Sequence, residues 1–468
     1  MHLRFGRSPV LPAALLTLVG CGTDDPVSPS CREPEILASS VAAIPGNGLG
    51  AVGTVRTRFA DSVSLQYGLA GGARDEATPA VAATAEVVAV PALGLVPERQ
   101  YSLQAVAYGG CGSATGPALG FTTGALPADL PSYTAGGPDP SPGYVVFGAG
   151  GYGLVIDNTG RVVWYHRFPR GPGLNFQAQP NGHFVARPPP ASPAEPAPFL
   201  EIDPLGNVTR TFGCGRGLPP RFHDLIVEAS GSYWLMCDET RTMDLSAMGG
   251  VTSARVMGTA VQHVNVDGSL LFEWSPFDHF ALSDLNPADR TGASVNWTHG
   301  NAIDLDGDGN LLVSFRSLHE ITKIDTRTGL VRWRMGGLAN QFDFQDTPLP
   351  AFTGQHGLRV TGPGRMVLLD NLGDPSGSRA ERYEFDEAGR TVRLVGAYGG
   401  SAHVVAELGG TTQELPGGRV LVSYGNGARV EEYDSAGNVV WRIQGNSGYV
   451  FRAQRIRSLY HPGVGGPR

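Results

Sequence analysis

The sequence predicts an all-β protein, and three observations support this fold class. Glycine and proline are abundant, with 66 and 36 residues in a chain of 468. Short apolar runs alternate with turn residues, which is typical of short strands joined by tight turns. Sustained helical periodicity is lacking outside the N-terminus. The pattern therefore disfavours a helical bundle or a doubly wound α/β sheet.

The N-terminus has the pattern of an export signal. Residues 1–20 contain Arg4, Arg7 and an apolar stretch too short to span a bilayer, which predicts a cleaved signal peptide. The Leu-Val-Gly sequence before Cys21 resembles a bacterial lipobox, in which the cysteine is lipidated; an ordinary secretory signal is the alternative. We therefore expect an exported protein that a lipid attaches to a membrane. The outer membrane is favoured, with the protein facing the periplasm or the cell surface.

Charge and cysteine content limit the possible partners and pairings. The chain carries 35 Lys and Arg against 43 Asp and Glu, a formal net charge of −8, and no basic stripe, so nucleic acid is disfavoured as a partner. Four cysteines follow Cys21, and in an exported chain they are compatible with two disulfides in any of three pairings. We favour Cys31 with Cys111 and Cys214 with Cys237, because each pair then lies within one domain.

The composition divides the chain into a tether at 21–30, a domain at 31–124, a Pro/Gly-rich linker at 125–142 and a larger domain at 143–460. In the first domain, the run from Leu95 through Pro97 to Tyr101 precedes a strand with period-two alternation. This run resembles the tyrosine corner of a fibronectin type III β-sandwich, in which the tyrosine hydroxyl ties a loop to the following strand.

The larger domain is predicted to be a repeat array. A turn that ends in glycine is followed by an apolar strand six times, and four of these strands contain tryptophan (Trp164, Trp274, Trp333 and Trp441). The turn glycines are Gly160, Gly206, Gly268, Gly329, Gly389 and Gly437. Strand-only repeats at this spacing indicate the blades of a six-bladed β-propeller. A generic β-sandwich is the alternative.

Three histidines occupy equivalent positions in consecutive repeats. His223, His299 and His356 each precede a turn glycine by a similar interval, at Gly231, Gly309 and Gly364. We expect each histidine to begin the innermost strand of its blade, so that the three imidazoles converge at one end of the central channel. A single histidine in such a position is more often a packing residue, but three in one register favour a functional site.

The hairpin that follows His299 can be paired from its turn. If Leu305 lies opposite Asn310, Arg316 lies opposite His299, and Asn301 shares the face of His299. A one-residue bulge would change this pairing. An arginine beside an imidazole and an amide would suit a sulfate or phosphate ester.

The order of motifs resembles the bacterial arylsulfate sulfotransferase family. The segments are His223-Asp224, NWTHGN around His299, the Ser-Phe-Arg that ends at Arg316, and QHG around His356 followed by LLDN. The resemblance implies a six-bladed propeller outside the cytoplasm. It also implies transfer of a sulfuryl group from a phenolic sulfate ester to a phenol, independently of the nucleotide sulfate donor PAPS.

The same resemblance implies the residue roles. His356 matches the transient sulfohistidine, and His223, His299, Asn301 and Arg316 match the activating and sulfate-binding residues. A covalent intermediate predicts ping-pong kinetics, with His223 or His299 moving a proton. An aryl sulfate hydrolase and a non-enzymatic anion-binding surface propeller are the alternatives.

No cofactor is expected. The three histidines could in principle bind zinc, but the adjacent arginine would repel a cation. Asp304, Asp306 and Asp308 resemble the start of a calcium loop, although Phe315 stands where an EF-hand has glutamate. A structural calcium ion is therefore an alternative for this hairpin turn.

Overall fold

The computed structural model describes residues 31–171, 173–190, 192, 197–285, 287–347, 351–399, 404–445 and 448–461. The expected signal peptide at 1–20, the lipidated Cys21 and the tether at 21–30 lie outside these residues. The prediction of an all-β protein is confirmed. Among the described residues, no helix is both long and apolar enough to cross a bilayer.

The N-terminal part consists of two sheets that face each other. The strands are β1 (Glu35–Ile44), β2 (Asn47–Arg58), β3 (Ser62–Leu69), β4 (Glu76–Ala77), β5 (Val81–Ala82), β6 (Val87–Ala92), β7 (Gln100–Gly109) and β8 (Gly112–Thr122). One sheet has the order β1-β2-β6 and the other β4-β3-β7-β8, with β5 also paired to β3. Alternate residues of the strands point inward, so Val55, Val90 and Leu103 from both sheets share one apolar core.

Two local features fix this part. The backbone N–H of Val96 donates to the Tyr101 hydroxyl at 2.9 Å, so that the tyrosine ties the preceding loop to β7. A disulfide joins Cys31, ahead of β1, to Cys111 in the turn between β7 and β8.

The larger part contains six sheets. Their strands are β9 (Thr134–Gly136), β10 (Tyr144–Ala149), β11 (Tyr152–Ile156), β12 (Val162–Arg167), β13 (Leu174–Ala178), β14 (Phe184–Arg187), β15 (Phe199–Ile202), β16 (Val208–Phe212), β17 (Pro220–Val227), β18 (Tyr233–Met243), β19 (Ala254–Val264), β20 (Leu270–Trp274), β21 (Ser294–Asn296), β22 (Gly300–Leu305), β23 (Leu311–Phe315), β24 (Glu320–Ile324), β25 (Val331–Gly336), β26 (Asp343–Phe344), β27 (His356–Gly362), β28 (Arg365–Asp370), β29 (Arg379–Asp386), β30 (Thr391–Gly399), β31 (Thr411–Leu415), β32 (Arg419–Ser423), β33 (Arg429–Tyr433), β34 (Val439–Gln444) and β35 (Ala453–Ile456).

The sheets are ordered along the chain, and both chain ends of this part join them. The orders are β35-β10-β11-β12, β13-β14-β15-β16, β17-β18-β19-β20 with β21 on β19, β22-β23-β24-β25, β27-β28-β29-β30-β26 and β31-β32-β33-β34-β9. The strands of these sheets are antiparallel, except that β21 and β26 pair in parallel at two of them. The first strands of neighbouring sheets contact one another in the cycle β35, β13, β17, β22, β27, β31 and back to β35. Segments far apart in sequence therefore meet at the middle of the six sheets.

Each of the six turn glycines lies in the hairpin that joins the third and fourth strands of its sheet, counted from the strand at the centre of the cycle. Gly160, for example, lies between β11 and β12 and has φ of +86°, where glycine avoids the strain of a side chain. The four tryptophans that follow these turns are at most 1% exposed and fill the space between sheets. The sequence repeat therefore corresponds to one structural unit.

The predicted linker is partly structured. Residues 134–136 form β9, which pairs with β34 at the edge of the sixth sheet. The prolines around it are tolerated because an edge strand leaves one side unpaired. Helical segments are short: α1 (Pro276–His279) and the 3-10 turns Gly215–Gly217, Ser246–Met248, Leu282–Asp284, Pro287–Asp289, Arg316–Leu318 and Pro416–Gly418. A second disulfide joins Cys214 to Cys237 within the third sheet region.

The two parts of the chain contact each other. The Tyr165 hydroxyl accepts from the Gly48 N–H at 2.8 Å, and the Tyr460 hydroxyl accepts from the Leu93 N–H at 3.0 Å. Ile44 and Leu93 are buried in the same apolar cluster as Val163. The N-terminal part is thus fixed against the first sheet.

Candidate functional site

His223, His299 and His356 meet at one end of the cycle of first strands. His223 lies in β17, His299 immediately precedes β22, and His356 begins β27. The ring centroid of His223 lies 5.1 Å from that of His299 and 6.2 Å from that of His356. Each histidine contributes one ring nitrogen, and these three nitrogens lie within 4.8 Å of one another. Three sheets therefore supply one imidazole each to a common site.

The hairpin after His299 is paired differently from the prediction, yet Arg316 is where it was expected. Leu305 pairs with Leu311 instead of Asn310, so the body of the hairpin is shifted by one residue. A bulge at Asn301 removes this shift, and the Arg316 N–H donates to the His299 carbonyl at 3.0 Å. His299 has φ of 47°, a left-handed conformation that is uncommon outside glycine and often found at functional sites.

His356 has one ring nitrogen held by two acceptors. Its Nδ1 lies 2.9 Å from Asn371 Oδ1 and 3.0 Å from the Gly354 carbonyl. Asn371 Nδ2 donates to the carbonyls of Ala406 and Gly409, which fixes the amide with its oxygen toward the imidazole. Because both neighbours of Nδ1 are acceptors, the proton of the neutral ring is on Nδ1 and the lone pair is on Nε2.

Burial keeps His356 neutral. It lowers the pKa of His356 to about 4, with Arg316 and Arg221 acting in the same direction against the hydrogen bonds to Asn371 and Gly354. A neutral imidazole with a free lone pair on Nε2 is a competent nucleophile near pH 7.

His223 presents the opposite nitrogen pattern. Arg221 Nε donates to His223 Nδ1 at 3.4 Å, so the proton of the neutral ring is on Nε2. Burial lowers the pKa of His223 well below its usual value, and the charge of Arg221 adds to this. Arg221 is itself buried and forms an ion pair with Asp238. The sequence analysis missed Arg221, although its position two residues before His223 in a strand would have placed it near the site.

His299 resembles His223 in its nitrogen pattern. Asn296 Nδ2 lies 2.6 Å from His299 Nδ1, so Nε2 carries the proton when the amide donates. Burial lowers the pKa of His299 to about 2, with contributions from Arg221, His356 and Arg316. The site thus offers one lone pair, on His356, and two imidazole N–H donors.

Arg316 and Asn301 lie in the bulged hairpin. Arg316 Nη2 donates to the Glu407 carbonyl at 3.0 Å, while its Nε is buried without a partner among the described residues. Asn301 Nδ2 donates to the Gln355 carbonyl at 2.6 Å, which leaves its Oδ1 as the atom without a partner. Arg316 therefore has a free donor for an anion, whereas Asn301 anchors the residue that precedes His356.

An ionic network lies beneath the imidazoles. Asp224 is 1% exposed and accepts from Arg359 Nη1 at 2.8 Å and from Arg452 Nη2 at 3.0 Å. It also accepts from the backbone N–H of Ile303 at 3.2 Å, and Arg452 donates to the His223 carbonyl at 3.3 Å. Four sheets are joined through this one carboxylate, which fixes the backbone that carries His223.

Aromatic rings line the other side of His223. Phe222 stacks on the imidazole at 4.0 Å between centroids, and Phe451 lies 5.7 Å from it. The ring centroid of Tyr449 lies 6.1 Å from that of Phe451. An aryl group bound at the imidazoles would find apolar ring surfaces here.

Two groups of residues have the composition of a metal site. The first is the three histidines, near which Arg221 and Arg316 place positive charge. The second consists of Asp306, Asp308 and Glu387, and the Lys323 ammonium lies among these carboxylates at 2.5 to 2.8 Å from each. Asp304 faces away from this group and accepts from the Val360 N–H at 2.8 Å. The three aspartates of the turn therefore do not converge, and the Lys323 ammonium already contacts two of them.

Comparisons with solved structures give distant similarities. A protein of unknown function from Bacteroides caccae is 14% identical, with 68% of this chain and 100% of that chain covered and a TM-score of 0.44. A virginiamycin B lyase from Staphylococcus aureus is 11% identical, with 66% and 87% covered and a TM-score of 0.36. No curated protein matches the chain.

A family comparison covers the segment that carries the site. Residues 220–446 match the family described as arylsulfotransferase (ASST). The matched segment begins three residues before His223 and includes His299, Arg316 and His356. Aryl sulfotransferase activity in general is supported by this match. This part of the chain is similar to the arylsulfotransferase family.

Proposed function

We propose that this protein transfers a sulfuryl group from a phenolic sulfate ester to a phenolic acceptor, independently of PAPS, through a sulfohistidine at His356. The observation that carries the proposal is the nitrogen pattern of the three imidazoles. His356 has its lone pair on Nε2, and His223 and His299 have N–H groups. One nucleophile and two donors are what attack on a sulfate ester requires.

In the first half-reaction, His356 Nε2 attacks sulfur and the bond from sulfur to the aryl oxygen breaks. The phenolate leaves with the bonding pair. The imidazole becomes positively charged, and the acceptors Asn371 Oδ1 and the Gly354 carbonyl stabilise its Nδ1–H. Arg316 neutralises the sulfuryl oxygens, which keep negative charge throughout, as in phosphoryl transfer.

The proton for the leaving oxygen is proposed to come from His299 or His223. Both are neutral in the empty site, because burial and the nearby arginines lower the pKa of each ring. A bound sulfate ester adds a negative charge that opposes the arginines and raises these pKa values. In the second half-reaction, an acceptor phenol gives its proton to the ring that protonated the leaving oxygen, its oxygen attacks sulfur, and the bond from sulfur to Nε2 breaks with its electron pair returning to Nε2.

The architecture proposed for this activity is a six-bladed β-propeller carrying an N-terminal fibronectin type III-like domain. The cycle of first strands and the pairing of β35 with β10 and of β9 with β34 support six blades closed by both ends. The tie between Val96 and Tyr101 supports the fibronectin-like assignment. We further propose export, with lipid attachment through Cys21, and a reaction that needs no metal.

The test uses a form lacking residues 1–21 with p-nitrophenyl sulfate, with and without a second phenol. Rapid mixing without acceptor should give a burst of p-nitrophenol equal to the enzyme concentration, and intact-mass measurement should show one added SO3 group. His356→Ala should lose both the burst and the added mass. His183→Ala, a histidine paired with Glu201 in the second sheet, is the matched control.

The outcomes separate the alternatives. Sulfated acceptor formed in proportion to released p-nitrophenol supports transfer. Continued release without an acceptor indicates a hydrolase. Tight binding of the ester without any release indicates an anion-binding protein and contradicts the proposal. A full burst in His356→Ala would remove His356 as the nucleophile.

A further inference from the structure

Arg187 is a partly buried arginine whose charge has no partner in the described part of the chain. It is the last residue of β14. Its Nε is shielded from water and makes no hydrogen bond. Burial lowers the pKa of the guanidinium, as does the charge of Arg221, while Asp238 raises it. An arginine that loses water without gaining an anion is destabilised, so such a residue points to a missing negative ligand.

The strand register places Arg187 at the same end of the sheets as the imidazoles. Arg187 pairs with Leu174 at the start of β13, and Cys237 pairs with Pro220 at the start of β17. Because β13 and β17 contact each other, Arg187 at the end of β14 and Asp238 in the middle of β18 lie on neighbouring sheets, at the rim where β13 and β17 begin. His223 is three residues into β17, close to this rim.

The charges at this rim do not balance. Arg221 forms an ion pair with Asp238, whose side chain remains 28% exposed. Arg187 is near enough to both residues for their charges to affect it. Asp238 contacts Arg221 and not Arg187, so among the described residues the Arg187 guanidinium has no carboxylate contact, near a site that already contains Arg316. In the described part of the chain, this charge is separate from the ionic network of Asp224, in which Arg359 and Arg452 contact the same carboxylate.

We propose that Arg187, with the Arg221–Asp238 pair, forms a second anion subsite next to the sulfuryl site, and that the phenolic substrate carries an acidic ring substituent. The inference rests on the proposed function and adds a substrate class to it. A carboxylate suits the subsite because a guanidinium can hold both of its oxygens at once. With the sulfuryl group at His356 and Arg316, the acidic substituent would be directed toward the part of the rim that carries Arg221 and Arg187.

The test compares two fluorogenic donors that differ by one carboxylate: 4-methylumbelliferyl sulfate and the sulfate ester of 7-hydroxycoumarin-4-acetic acid. The wild-type protein should prefer the carboxylated donor in kcat/KM. Arg187→Gln should lower kcat/KM for the carboxylated donor by about 10–100-fold and change that for the donor without a carboxylate less than about twofold. Arg187→Lys should give an intermediate loss, because it keeps the charge but not the paired donors.

Arg210→Gln is the matched control, since Arg210 lies on the outer strand of the same sheet and donates to the Gly231 carbonyl. Both donors should be unaffected by it. If Arg187→Gln lowered kcat/KM equally for both donors, Arg187 would act through protein stability or through its overall charge. This result would overturn the subsite. Equal use of both donors by the wild-type protein would also overturn it.

A binding measurement keeps this inference separate from the proposed function. Calorimetric titration of His356→Ala with 4-hydroxybenzoate and with phenol needs no turnover. Tighter binding of the hydroxybenzoate that disappears in the double variant with Arg187→Gln supports the subsite, even if no sulfotransfer is found. Equal binding of the two compounds contradicts the subsite, even in an active sulfotransferase.

Discussion

Asn371 Oδ1 lies 2.9 Å from Nδ1 of His356 and decides which nitrogen of that ring can react. The amide is held by two backbone carbonyls on its other side, so the relationship is fixed by the fold of the fifth sheet and the segment after it. An imidazole with two usable nitrogens thereby becomes one with a single lone pair directed away from Asn371.

Replacing Asn371 should therefore affect the rate more than substrate binding. In Asn371→Ala, His356 keeps only the Gly354 carbonyl as an acceptor, and we expect kcat to fall about 10–100-fold with little change in KM. In Asn371→Asp, a carboxylate raises the pKa of His356, so the acid limb of the pH–rate profile should move to higher pH. Steady-state kinetics across pH checks both. Asn438→Ala is the control, because Asn438 lies in an exposed turn, and it should change neither kcat nor the pH–rate profile. An acid limb that does not move in Asn371→Asp would contradict the positioning role of Asn371.

The pH dependence of the first half-reaction should report the buried His356. Its pKa in the folded protein is about 4, and only the neutral form can attack. At donor concentrations far below saturation, where the rate reports the free protein, the burst rate should stay level as pH falls through 6.5 and should be lost as pH falls through about 4. Burst kinetics measured in buffers of constant ionic strength check this. A limb near 6.5 would indicate an imidazole that is exposed to water.

The same lowered pKa values affect folding stability. The unfolded chain binds protons on its histidines near pH 6.5, whereas buried His356 and His299 bind them only at lower pH. The contribution of these histidines to the free energy of unfolding should therefore be greatest above about pH 6.5 and should decrease as pH falls toward 4. Urea denaturation at several pH values measures this. His299→Gln should show a smaller decrease over that window, and an unchanged slope would contradict the burial of a neutral ring.

Divalent zinc should inhibit the protein only at high concentration, because Arg221 and Arg316 place positive charge near the three histidines. The three ring nitrogens lie within 4.8 Å of one another and could ligate Zn²⁺, while the proposed reaction uses His356 free of metal. Dialysis against EDTA should leave the activity intact, and added Zn²⁺ should compete with the sulfate donor. The activity that remains in His299→Ala should be less sensitive to added Zn²⁺ than the activity of the wild-type protein. Loss of activity in EDTA that a divalent cation restores would contradict a metal-free mechanism.

Gly357 should be sensitive to any side chain. It follows His356 directly, has φ of +63°, and a Cβ there would lie 2.6 Å from the Cα of Thr411. Gly357→Ala should lower the free energy of unfolding by about 1–3 kcal/mol, measured by urea denaturation. Gly307→Ala is the matched control, because a Cβ at Gly307 meets nothing within 4 Å. Equal stability of the two variants would contradict the close approach.

The sequence by itself determined the features that depend on neighbouring residues. The glycine turns, the buried tryptophans and the interval from each of three histidines to its turn are local, because a hairpin places its own residues in a fixed register. Arg316 came out opposite His299 for a partly mistaken reason: the assumed turn was off by one residue, and the bulge at Asn301 compensated for it. Bulges respond to packing, which period-two alternation does not encode.

Only the tertiary structure decided the contacts between segments far apart in the chain. It brought Asn371 to His356, placed Lys323 among Asp306, Asp308 and Glu387, and made residues of the predicted linker an edge strand. It also left Arg187 without an anion beside the Arg221–Asp238 pair. Such contacts depend on how six sheets close into a cycle, because closure sets the distance between side chains that no local repeat relates.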